Sequence, residues 1–93
     1  RPVQKAQEDA RAAAPGDLYF DLKACTLMVV GPRGRAHAFS EEGRHVTSFM
    51  IRPDAVDFRL RTERWRRLED DEVAAWRKRL EGADAPGADD ATA

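Results

Sequence analysis

The chain has 93 residues, enough for one small domain, and its 16 basic and 17 acidic residues leave a formal net charge of −1. No apolar run approaches the roughly 18 residues of a membrane span. The single cysteine, Cys25, excludes an internal disulfide, so the expectation is a soluble cytoplasmic protein.

Residues 1–16, RPVQKAQEDARAAAPG, are rich in alanine and charge and end on Pro15-Gly16. They hold too little bulky apolar surface to offset the entropy of ordering, so a flexible N-terminal segment is expected. Residues 17–81 form the expected domain. Residues 82–93, GADAPGADDATA, read as a disordered acidic C-terminal tail.

From residue 18 the apolar pattern has period two. Leu18, Phe20 and Leu22 alternate with Tyr19, Asp21 and Lys23, the signature of a half-buried strand. TLMVV (26–30) is apolar on both sides and suits a central strand. Gly31-Pro32-Arg33-Gly34 then reads as a hairpin turn, with proline pre-setting φ and Gly34 supplying a positive φ. SEEGR (40–44) repeats the device with Gly43.

Three-residue hairpin loops set Val30 opposite Ala36 and Val29 opposite His37, and next Phe39 opposite His45 and His37 opposite Thr47. Strand alternation then sorts the side chains onto two faces. One carries Leu27, Val29, Arg35, His37, Phe39, His45, Thr47, Phe49 and Ile51. The other carries Met28, Val30, Ala36, Ala38, Val46, Ser48 and Met50.

Beyond Pro53, AVDFRL (55–60) alternates again, because on a helix Phe58 points away from Val56 and Leu60. A strand is the preferred reading, with a helix capped by Asp54 as its competitor. RWRRL (64–68) reads as a short strand or extended lead-in. In EDDEVAAWRKRLEG (69–82) acids open the segment, bases close it and Gly82 follows, as a helix dipole and its C-cap favour. Val73, Trp76 and Leu80 form one stripe, and the small-residue face of the sheet has room for Trp76. The expected fold class is α+β, a small antiparallel meander of four to six short strands with one C-terminal amphipathic helix packed on one face.

Catalytic and metal chemistry find little footing. Cys25, His37 and His45 are not spaced as a zinc set, and a Cys–His nucleophile needs contact that nothing in the sequence supports. Glu69, Asp70, Asp71 and Glu72 suit a helix start, Glu41 and Glu42 a turn. GPRG lacks the helix and lysine of a phosphate loop. The expectation is a non-enzymatic protein with no cofactor, metal or small-molecule substrate.

Two interaction surfaces remain. If the C-terminal helix covers the small face, Arg35, His37, Phe39, His45 and Phe49 form an open apolar patch, which calls for a protein partner or, most cheaply, a second copy of the chain. The alternative is nucleic acid. Residues 31–79 hold twelve basic against nine acidic groups, a net of +3, and Arg59, Arg61, Arg64, Arg66 and Arg67 surround Trp65. Guanidinium groups grip phosphates and an indole stacks a base.

Overall fold

The computed structural model describes residues 2–83. Five strands form one antiparallel sheet: β1 (Leu18–Asp21), β2 (Thr26–Val30), β3 (Arg35–Phe39), β4 (His45–Met50) and β5 (Trp65–Arg67). Their spatial order is β4-β3-β2-β1-β5, so β4 and β5 are the edges. Three α-helices accompany them among the described residues: α1 (Pro2–Ala12), α2 (Pro53–Arg61) and α3 (Asp70–Ala83). The chain is thus a small α+β fold, with the expected meander and C-terminal helix plus two further helices.

Both hairpins form where the glycines stand. Arg33 and Gly34 take φ of 61° and 77° in the first turn, and Gly43 takes 92° in the second. A side chain at Gly34 is doubly excluded, since its Cβ would lie 2.7 Å from the Ile51 carbonyl oxygen. The β2–β3 register matches expectation, with Val30 opposite Ala36 and Val29 opposite His37.

The β3–β4 register needs correction. Phe39 faces His45 as expected, but a bulge follows: Val46 has no partner, Ala38 faces Thr47 and His37 faces Ser48. One extra residue in a strand moves every later side chain to the opposite face. Ser48 therefore joins His37, while Phe49 crosses to the side of Ala36. Ile51 likewise belongs to the cluster that holds Ala36 and Ala38.

Each face has its own core. Leu18, Leu27, Val29 and Phe39 pack under α1 and α3, against Ala6, Ala10, Ala13, Val73, Trp76 and Leu80. Tyr19, Met28, Ala36 and Ala38 pack with Ile51, Trp65 and Val56 of α2. The C-terminal helix thus lies on the bulky face, correcting the expected placement on the small one. Trp76 meets the ring of Phe39 edge-on at 5.1 Å. The small face, whose alanines suit close approach, receives α2 instead.

Residues 2–12, expected as a flexible tail, are the second correction. Ala6, Ala10 and Ala13 fall on one stripe and are buried, so their small side chains bring the α1 backbone close to α3, β2 and β4. Residues 55–60 are the third, since they are helix and not strand. Pro53 opens α2, where its missing N–H costs nothing, and the Thr62 hydroxyl closes it by donating to the Phe58 carbonyl at 2.8 Å. The strand reading required Phe58 inside. It is 58% exposed, with the Arg61 guanidinium 6.0 Å above its ring. Strand β1, expected half-buried, has Tyr19 and Asp21 buried as well because α2 covers that side. Residues 84–93, part of the expected acidic tail, lie outside the described residues.

Candidate functional site

Strands β3 and β4 aim Arg35, His37, His45 and Ser48 at the face crossed by α1, and α1 adds Asp9. Asp9 sits three residues after Ala6 and one before Ala10, so the stripe that seats the helix also carries a buried carboxylate. Arg35 grips it with both sides of its fork, Nε to Oδ2 at 3.0 Å and Nη2 to Oδ1 at 3.2 Å. The His37 Nε2–H donates to Oδ2 at 2.7 Å. On the other side of the ring, Nδ1 lies 2.7 Å from Ser48 Oγ, which lies 2.8 Å from His45 Nε2.

The chain of contacts Asp9–His37–Ser48–His45 runs from inside to outside, since His37 is only 2% exposed and Ser48 faces solvent. A carboxylate has no proton to give, so Asp9 fixes His37 as the Nε2–H tautomer when the ring is neutral. The Nδ1 lone pair is then turned to the serine hydroxyl. Burial pushes the Asp9 carboxyl up, but the bonds from Arg35 and His37 and their charge outweigh it and hold the group below the ordinary 3.8. Burial, reinforced by the neighbouring His37, pulls His45 below 6.5.

This geometry corrects the open-face expectation. Of Arg35, His37, Phe39, His45 and Phe49, the first four share a face, but α1 and α3 cover it and leave Phe39 0% exposed. Phe49 lies on the opposite side beneath the Arg59 guanidinium, 5.7 Å from its ring centre. Two members of the polar cluster, Asp9 and Ser48, escaped the sequence reading. Asp9 lies in a segment without bulky residues, and Ser48 was turned away by a register that lacked the bulge. The alanine stripe at i, i+4 and i+7 was the one signal that could have placed Asp9.

The arginine-rich segment is engaged internally. Trp65, expected as a stacking platform, is buried, and its Nε1–H donates to Asp21 Oδ2 at 3.1 Å. Arg59 lies 5.0 Å over the Trp65 ring, and Arg64 Nε meets Asp21 at 3.1 Å. Arg66 makes a two-pronged bond to Glu72 at 2.8 and 2.7 Å. Arg67 covers Tyr19 and bonds the Gly16 carbonyl, and Arg61 covers Phe58. A base has no indole face to stack on here. Cys25 is exposed in the β1–β2 turn at a φ of 56°.

These pairings set a pH dependence. Asp9 and Asp21 titrate below their ordinary 3.8, Asp21 because backbone and side-chain donors outweigh its burial. Glu72 is lowered from 4.5 to about 2, first by its bond to Arg66. A carboxyl lowered on folding stabilises the fold above its unfolded value, and that stability is lost as pH falls through the folded value. Glu72 and Arg66 are partly exposed, so solvent screening keeps their share small. His45 acts in the same direction from 6.5 downward, because the fold disfavours its charged form. The urea midpoint is therefore expected to be highest near neutral pH, to decline gently below 6.5 and to fall steeply below 3.8. A midpoint rising on acidification contradicts this set of pairings.

No helix among the described residues is long and apolar enough to cross a membrane. Compared with protein-family models, curated proteins and solved structures, the chain matches none of them.

Proposed function

We propose that this chain is a protein-interaction module that pairs with a second copy of itself through the free edge of β4. One observation carries the reading: β4 is a six-residue edge strand that itself carries two exposed large apolar side chains, Val46 at 57% and Met50 at 70%. An unpaired strand edge is a template for another strand, and proteins usually blunt it with lysine, proline or a bulge. Residues 45–50, HVTSFM, contain no lysine or proline, and the bulge at Val46 leaves 47–50 in regular register. The opposite edge, β5, has only three residues, two of them arginine.

The favoured occupant is a second copy because an antiparallel edge is self-complementary. Two β4 strands related by a two-fold axis continue one sheet into the next, each supplying the same N–H and C=O groups. We place the module in the cytoplasm, where the exposed thiol of Cys25 stays reduced.

In sedimentation equilibrium the chain is expected at twice its own mass. Val46→Lys combined with Met50→Lys should return it to single mass with an unchanged circular-dichroism spectrum, because both side chains stand in solvent and lysine opposes edge pairing. A wild-type chain that stays single at the concentrations used for NMR overturns the proposal.

A further inference from the structure

We propose that Ser48 is a nucleophile activated by His37 and held in register by Asp9, forming a site that takes small activated acyl esters. The arrangement meets the geometric conditions for nucleophilic catalysis. Nucleophile and base are 2.7 Å apart, and base and orienting carboxylate are also 2.7 Å apart. The carboxylate is itself locked by the Arg35 fork and buried between α1 and the sheet. His45 Nε2 lies 2.8 Å from the serine oxygen on a second side and holds it beside Nδ1 of His37.

The strand supplies a further part. Ile51 N–H bonds to the Gly34 carbonyl, which sets the phase of the β3–β4 ladder. Hydrogen-bonded pairs alternate along an antiparallel ladder, so Phe49 bonds inward while Ser48 and Met50 turn their peptide groups to the free edge. In the unpaired chain the N–H of Ser48 therefore stands beside its own hydroxyl as a donor to a developing oxyanion, and pairing of β4 with a second copy competes for it. Ser48 is exposed, so a substrate meets it without an enclosing wall, and an ester that reacts there must bring its own reactivity in a good leaving group.

In the first step the Ser48 oxygen bonds to the acyl carbon while its proton passes to His37 Nδ1. The bond from the acyl carbon to the leaving oxygen then breaks, and the leaving alkoxide takes that proton. Water attacks the acyl-serine in the same way, returning Ser48 and releasing the carboxylic acid. Asp9 touches no reacting atom and acts as a positioning residue.

The full chain is treated with diisopropyl fluorophosphate and then mapped by intact-mass and peptide mass spectrometry. One diisopropylphosphoryl group is expected, on Ser48, and p-nitrophenyl acetate hydrolysis should show a burst. Ser48→Ala, an exposed change that the fold tolerates, should remove both. His37→Gln should slow labelling on the order of 10²–10⁴-fold. Asp9→Asn should lower kcat for p-nitrophenyl acetate and leave KM unchanged. A folded wild-type chain that is unlabelled, or labelled elsewhere, overturns the proposal and leaves the cluster a purely structural network. The Ser48→Ala chain keeps the peptide groups of β4, so its sedimentation reports on edge pairing independently.

Discussion

Trp76→Ala is expected to remove about 3–5 kcal/mol of stability, a large part of the roughly 5–15 kcal/mol that a small domain holds. Trp76 is among the largest fully buried side chains and sits where α3, α1 and the sheet meet. Its ring closes on Phe39, and the alanines of α1 are too small to refill the space it leaves. A cavity of that kind adds its own cost to the lost burial. Urea denaturation followed by circular dichroism gives the number.

A control sharpens the test. The Trp76 indole Nε1–H has no hydrogen-bond partner among the described residues. Trp76→Phe therefore removes an unsatisfied donor together with some volume, and it should cost clearly less than alanine. If both variants lose the same stability, packing around the ring is not what holds α3 in place.

Asp21→Ala should also be damaging, at about 1–3 kcal/mol, for a different reason. The buried Asp21 carboxylate gathers four donors from two parts of the chain. The Lys23 and Ala24 N–H groups close the β1–β2 turn onto Oδ1 at 2.9 and 2.8 Å. Arg64 Nε and Trp65 Nε1 tie β5 to the same group, both at 3.1 Å. Deleting the acceptor leaves a buried indole N–H unpaired and frees the turn, while Arg64, partly exposed, can rehydrate. Asp21→Asn keeps one acceptor oxygen and should fall between wild type and alanine. A loss below about 1 kcal/mol in Asp21→Ala shows that the turn and β5 stand without this hub.

The two variants also separate the two faces. Trp76→Ala acts under α1 and α3, where the Asp9–His37–Ser48 chain lies. Asp21→Ala acts at the junction of β1, β5 and α2. If Ser48 labelling weakens in the first and survives in the second at equal residual stability, the seating of α1 against the sheet governs the serine.

The alternation in residues 18–39, the two glycine turns and the stripe of α3 were legible because each is a local pattern. Period two sets which side chains share a strand face, and a positive φ needs glycine at a turn whatever surrounds it. The β2–β3 register and the Phe39–His45 pairing followed from those turns alone. Local periodicity is silent on which face a helix will choose, on whether a neighbour's bulge inverts a strand, and on whether a weakly apolar segment finds a partner.

Three tertiary facts decided those matters. The unpaired Val46 exchanged Phe49 for Ser48 beside His37. The stripe of Ala6, Ala10 and Ala13, too small to declare a core by itself, was seated by an ion pair from Asp9 reaching across 26 residues to Arg35. The small face around Ala36 and Ala38 took Val56 of residues 53–61 as its cover, and the helix that results leaves Phe58 in water, against an alternation that favoured a strand. Composition and spacing thus determined a small antiparallel sheet with a terminal helix. Only long-range packing and pairing decided which faces close, which edge stays open and which serine meets a histidine. The physical reason is that burial free energy belongs to pairs of surfaces, and a linear pattern records only one member of each pair.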